Sequence, residues 1–435
     1  MSACLAVAGC KGKAPETPAA PAPAAKAEEP AKELAKAVEP AAAAPAAPAA
    51  PAASNNPAVA ELAPLWPDIA KCEDTSDLYA KDKCPANFKL LETTKAAYEG
   101  REKDPARFSQ VYEAIVDQII HGTDLKARNC AAYAAWSKGY RGGKAFEDNN
   151  KLAMDLLDAL KKLDKDDNYV GYGIANVLGG RWSKDDDVRK AMVAATKDKT
   201  IKSLGGRREL IRHAGWVAKD VADIYSGIRG VAMDASDAEE VRSEAISSLA
   251  GLARDKPEVI DVLIGMVDDP VLAVARGAVM GLGSAKAATP EAKKAQDKLV
   301  ELLTGGATKV PLSSLGSALG RIADLDGIGA VAKYFAANGD KPGVVNAYME
   351  VIYGACTSGR FKDNADADKA LRAGADAILK AKAATASDRR YALTSLGALG
   401  GPKSVAACKK LTGDAEASVA EAANKCIEKA SAAPK

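Results

Sequence analysis

The stretch PEVIDVLIGMVDDPVLAVARGAVMGLG, residues Pro257 to Gly283, decides the fold. Val259, Ile260, Leu263, Ile264 and Val267 recur at helical spacing and make one apolar stripe. Asp268-Asp269-Pro270 interrupts it. Val271, Val274, Ala275, Ala278, Val279 and Leu282 then make a second stripe, closed by Gly283. Both follow the i, i+3, i+4, i+7 rule of a half-buried helix. Two such helices joined by a short polar turn are a helical hairpin.

The pattern recurs outward in both directions. Second helices are expected to start near Asp124, Asn168, Gly206, Ala238, Val271, Val310, Pro342, Ser387 and Ala415, a mean step of about 36 residues. Asp104-Pro105, Asp269-Pro270 and Thr289-Pro290 read as an N-cap followed by proline in the first turn. No period-2 strand pattern stands out. Val241-Arg242…Ala245…Leu249-Ala250, Arg276-Gly277-Ala278…Leu282-Gly283 and Arg389-Arg390-Tyr391-Ala392…Leu396-Gly397 share one arrangement. It resembles the HEAT repeat, in particular the short type of bacterial phycobilin-lyase-like proteins, whose second helix carries an approximate V-R-x-x-A-x-x-x-L-G. The resemblance spans roughly residues 105–430. It is strong at 238–283 and 387–427, and weak at 59–105 and 300–380. It implies an all-α solenoid, because one hairpin cannot bury its apolar face alone and neighbours must stack. Arg128, Arg242, Arg276 and Arg390, early in second helices, are expected to reach an acid of a neighbouring turn.

Composition agrees with stacked helices. Apolar residues make up 48% of the 435, but aromatics only 5%, and small side chains suit close helix contact. Lys and Arg number 60 against 58 Asp and Glu, which argues against nucleic-acid binding. His121 and His213 are the sole histidines and no C-x-x-C occurs, so no metal site and no cofactor are expected. Asp164-Lys165-Asp166-Asp167-Asn168 begins like a calcium loop but has Tyr169 where glycine belongs and Ala175 where glutamate belongs. No apolar run reaches the ~18–20 residues of a membrane span.

The N-terminal region carries an address. Val7-Ala8-Gly9-Cys10 resembles a bacterial lipobox, with small residues before a thiol that takes the lipid; a charged n-region and a full apolar stretch are missing. From Ala14 to Ala58 stand ten of the 21 prolines and no glycine. Such Ala-Pro runs favour an extended spacer, with an upper reach of about 140 Å. The expected organisation is a partial signal peptide with lipobox over 1–10, a disordered Ala/Pro-rich linker over 11–58, and a helical cap over 59–104. HEAT-like repeats follow over 105–430, and a disordered tail over 431–435.

With Cys4 removed and Cys10 lipidated, six cysteines remain, and export permits oxidation. Cys72–Cys84 and Cys408–Cys426 are the near-neighbour bridges. Cys130 and Cys356 read as buried thiols, although Cys130 is an alternative partner for Cys84.

Tyr140-Arg141-Gly142-Gly143, Gly179-Gly180-Arg181-Trp182 and Gly205-Gly206-Arg207-Arg208 recur at spacings near 35. Glycines here serve as helix exits, or the arginines and aromatics line one rim as binding anchors. Arg141, Arg181, Trp182, Arg207, Arg208, Arg212 and Trp216 are therefore the candidate protein-binding residues, with His213 nearby. No Gly-x-Ser-x-Gly, triad or paired-carboxylate pattern is present, and the chain is expected not to be an enzyme. The expectation is a monomeric lipid-anchored scaffold in the bacterial cell envelope, on the outer membrane facing periplasm or surface, that binds a protein partner. The alternatives are a lyase-type enzyme or chromophore-binding protein, by analogy with the HEAT-like lyases, and a structural spacer without a ligand.

Overall fold

The structure, a computed structural model, describes residues 55–72, 83–136, 150–165, 167–179, 185–305, 308–341 and 343–432. The chain divides into Met1–Ala53 and Ser54–Lys435. The first unit, with Cys10 and most of the Ala/Pro-rich segment, lies outside the described residues, as do Arg141, Arg181 and Trp182.

The described residues are helical throughout, with no strand among them. Helices α1 (Pro57–Leu62), α2 (Leu65–Ala70) and α3 (Pro85–Glu99) open the second unit. Hairpins follow: α4 (Pro105–His121) with α5 (Leu125–Trp136), α6 (Asn150–Lys162) with α7 (Asn168–Leu178), and α8 (Asp186–Lys197) with α9 (Leu204–Val217). Next come α10 (Ala222–Met233) with α11 (Glu239–Leu252), α12 (Val259–Met266) with α13 (Leu272–Leu282), and α14 (Pro290–Gly305) with α15 (Leu312–Ile322). The last are α16 (Leu325–Asn338) with α17 (Val344–Thr357), α18 (Ala365–Lys380) with α19 (Ala386–Leu399), and α20 (Gly401–Lys409) with α21 (Ala417–Ala432). Every second helix begins within two residues of the position expected from periodicity.

The hairpins stack in two layers. From α5 to α21, each odd-numbered helix packs on the next odd-numbered one. The even-numbered helices form the other layer, in the runs α4 to α10 and α12 to α18. No substantial helix contact joins elements more than three apart in the order, so the architecture is an all-α solenoid. At its start, α1 packs on α4, α2 on α5, and α3 on both.

Stripe and turn chemistry produce this order. In the deciding hairpin Val259, Ile260, Leu263 and Val267 are buried, facing Val274, Ala275, Ala278, Val279 and Leu282. Asp104 caps α4 by accepting from the Arg107 amide at 2.9 Å, and Thr289 caps α14 from the Ala292 amide at 3.2 Å. Asp269 does not act this way. The N-cap of α13 is Val271, whose amide donates to the Asp269 carboxylate at 2.9 Å.

That carboxylate belongs to a ladder between hairpins. Arg242 donates to the carbonyl of Ala232 at the end of α10 and forms a two-pronged pair with Asp269. Arg128 bonds the Ile119 carbonyl and pairs with Asp167 at 3.3 Å. Arg207 bonds the Thr196 carbonyl and grips both Asp237 oxygens at 2.9 and 2.6 Å. Arg389 pairs with Asp414 at 2.7 Å. Each arginine closes the exposed carbonyl end of a helix or the turn leading into the next hairpin, where orphan backbone groups need partners. Of the four arginines expected in this role, Arg128 and Arg242 fill it. Arg276 and Arg390 are exposed on the outer face instead, and Arg207 and Arg389 take the inward positions. The register explains it. Arg207, Arg242 and Arg389 stand four residues after the N-caps Ser203, Ala238 and Thr385, whereas Arg276 stands five after Val271. One residue turns a side chain by about 100° around a helix.

Small residues set the layer spacing. A Cβ on Gly354 would meet the Gly320 backbone at 2.8 Å, and one on Gly320 would meet the Glu350 carbonyl oxygen at 2.6 Å. Helices α15 and α17 therefore touch backbone to backbone. Disulfides join Cys72 to Cys84, spanning the α2–α3 connection, and Cys408 to Cys426, tying α20 to α21. Cys130 and Cys356 are free thiols, each pushed up to about 12 by burial.

Candidate functional site

Helix α9 positions most of the site. Ser203 caps it by accepting from the Gly206 amide at 3.4 Å. Gly205 and Gly206 thus lie in its first turn, not at a helix exit. A Cβ on Gly206 would meet the Gly171 Cα of α7 at 3.1 Å, so glycine permits close approach here. Arg207, a candidate anchor from the sequence, is buried in the ladder, its side chain 2% exposed. It is absent from the outer strip. Arg208, one position on, turns outward and lies 3.9 Å from Glu244 of α11.

Further along α9, Glu209, Arg212, His213 and Trp216 share one face at i, i+3, i+4 and i+7. Arg212 pairs with Glu209, and the Nε2 of His213 lies 3.2 Å from the same carboxylate. Nε2 also lies 3.1 Å from the side-chain amide oxygen, Oδ1, of Asn176 on α7. With two acceptors facing it, Nε2 carries the ring proton. Burial alone would raise the Glu209 carboxyl, but hydrogen bonds from His213 and Arg212 outweigh it and hold the group below its ordinary range. Glu244 goes the other way: burial raises it, against the opposing pull of Arg208 and Arg212.

A chain of rings crosses three hairpins beside these charges. Tyr133 and Trp136 of α5 meet edge to face at 5.5 Å, and Trp136 meets Tyr172 of α7 at 5.5 Å. The Arg212 guanidinium lies 5.9 Å from the Tyr172 ring and 5.8 Å from the Trp216 ring. His213 meets Trp216 edge to face at 4.5 Å. Trp216 is nonetheless 67% exposed. Gly179 makes room for the imidazole, since a Cβ there would meet the His213 Cγ at 2.6 Å. The first glycine of Gly179-Gly180 is thus a packing requirement of the site.

The structure therefore brings together Arg208, Arg212, His213 and Trp216, and places Arg207 inside. Sequence reading missed Tyr133, Trp136, Tyr172, Asn176, Glu209 and Glu244. The signal available was the repeat step: Trp136, Tyr172 and Arg212 are spaced by 36 and 40 residues. Chemically, the arrangement offers an exposed indole braced by a guanidinium and an imidazole, with a buried carboxylate fixing both.

No family model matches this chain, and no curated protein does. Among solved structures, it is similar to human deoxyhypusine hydroxylase in complex with glycerol. The likeness is 17% in identity, covers 74% of this chain and 96% of that one, and has a TM-score of 0.26. The expectation that the chain is not an enzyme does not stand against this finding, since that neighbour is an enzyme by name. Missing catalytic strings in a helical repeat sequence are no ground for excluding catalysis. At this TM-score the likeness assigns no activity to this chain.

Proposed function

We propose that this is a lipid-anchored protein of the bacterial cell envelope whose solenoid docks a protein partner on the odd-numbered helix layer, at the strip from α5 to α11. The observation that carries the reading is Trp216, largely exposed yet held by Arg212 and His213. Tryptophan, tyrosine and arginine dominate binding hot spots. An anchor already fixed in one conformation loses little entropy on docking. The address rests on Val7-Ala8-Gly9-Cys10 with the Ala/Pro-rich spacer after it, and two disulfides fit an oxidising compartment.

Two experiments test the two parts. Photo-crosslinking residues at 208 and 216 in intact cells should give one discrete adduct, and position 158 on the even layer should give none. Adducts of equal yield from both layers, or from neither, sink the docking reading. Cys10→Ala should abolish lipid labelling and membrane partitioning; a variant that still fractionates with membranes removes the anchor.

A further inference from the structure

A second feature of the odd-numbered layer stands apart from the ring strip. A groove of about 490 Å³ runs between α11, α13 and α15. Ala250, Gly251, Gly277 and Gly281 line it together with the exposed Arg276 and Arg321. Two of the glycines have a packing reason: a Cβ on Gly277 would meet Ile246 at 2.8 Å, and one on Gly281 would meet Ala250 at 2.8 Å. Gly251 has none, because a Cβ there would meet nothing within 4 Å. Glycine near the end of α11 costs helix stability relative to alanine, and no neighbour requires it, as none does at Gly265 or Gly329. What sets Gly251 apart is its place in the lining of the groove.

The rim arginines differ from those of the ladder. The inward arginines Arg128, Arg207, Arg242 and Arg389 all hold carboxylates. Arg276 and Arg321 are exposed and form no ion pair among the described residues. Glu350 of α17 is the acid that feels Arg321. Two guanidiniums 45 residues apart in sequence thus line one slot together with glycines.

We infer that this groove binds an acidic segment of a partner protein. Carboxylates satisfy the guanidinium forks two-pronged, which no lysine rim does as well, and the glycine lining lets a peptide backbone approach. Two cations in one slot suit a short acidic peptide better than a polyanion, which needs a longer basic track.

The test uses the full chain and a fluorescein-labelled octapeptide of alternating glutamate and alanine, with a lysine–alanine octapeptide, inorganic phosphate and a short duplex DNA as competitors or controls. The acidic peptide should bind and the lysine peptide should not. Gly251→Leu fills the slot without touching charge and should weaken binding at least about tenfold, with Tm unchanged or raised. Arg276→Glu with Arg321→Glu should abolish acidic-peptide binding and create binding of the lysine peptide. Trp216→Ala should leave all of this unchanged, which separates this groove from the docking strip proposed above. Equal binding of both peptides, tighter binding of DNA or phosphate than of the acidic peptide, or full binding by Gly251→Leu each overturns the assignment.

Discussion

Arg207 and Asp237 form the most deeply enclosed rung of the ladder, with both side chains 2% exposed. Removing one partner leaves the other charge buried and uncompensated. Arg207→Met should therefore cost about 3–5 kcal/mol in chemical denaturation. Arg207→Met combined with Asp237→Leu should recover a large part of that loss, because both charges go together. Glu209 makes a pH prediction from the same physics. Its native pKa is depressed, so the unfolded chain takes up a proton first as pH falls. The stabilisation from its ionised form is complete above the ordinary glutamate range. It is lost as pH falls through that range toward the native value. Glu209→Gln should flatten this part of a Tm-against-pH curve. A wild-type slope retained in the variant would mean that other carboxylates carry it.

At the scale of elements, the α15–α17 contact tests how far small residues set the spacing. Gly320→Val forces a branched side chain against the Glu350 carbonyl. It should destabilise by about 1–3 kcal/mol, as overpacking does. Cys408 and Cys426 clasp the last hairpin at a sequence separation of 18. Replacing both with alanine should cost about 3 kcal/mol by the loop-entropy account, read as a lower Tm and a smaller further drop on adding reductant, which then acts on Cys72–Cys84 alone. These elements were legible in the sequence because stripes and proline-started turns repeat. The hairpin of Pro257–Gly283 gives the pattern, and its recurrence at a mean step of about 36 residues places the other second helices. The side-chain roles were less legible. Arg207 and Arg208 are neighbours in sequence, yet the turn of about 100° between them on α9 puts one in the buried ladder and the other outside. Which is which depends on counting from the N-cap, and a two-residue error in the helix start reverses the answer. Asn176 and His213, 37 residues apart, meet because one repeat step brings α7 beside α9, and no local motif announces that contact.

For the whole molecule, the decisive property is that each hairpin leans only on those beside it. Stability is then close to a sum of hairpin terms and nearest-neighbour interfaces. A lesion in one hairpin should stay local instead of melting a single shared core. Leu263 lies fully buried in α12, near the middle of the stack. Leu263→Ala should cost about 2–5 kcal/mol within its own neighbourhood. Amide exchange under native conditions should rise in α10 to α15, while α4, α5, α20 and α21 keep wild-type protection. The two candidate surfaces share this logic. The ring strip draws on α5, α7 and α9, and the guanidinium groove on α11, α13 and α15, so the same lesion should blunt the groove while sparing the indole at Trp216. Uniform loss of protection from α4 to α21 would show instead that the stack unfolds as one body, and the two surfaces would then be coupled through its stability.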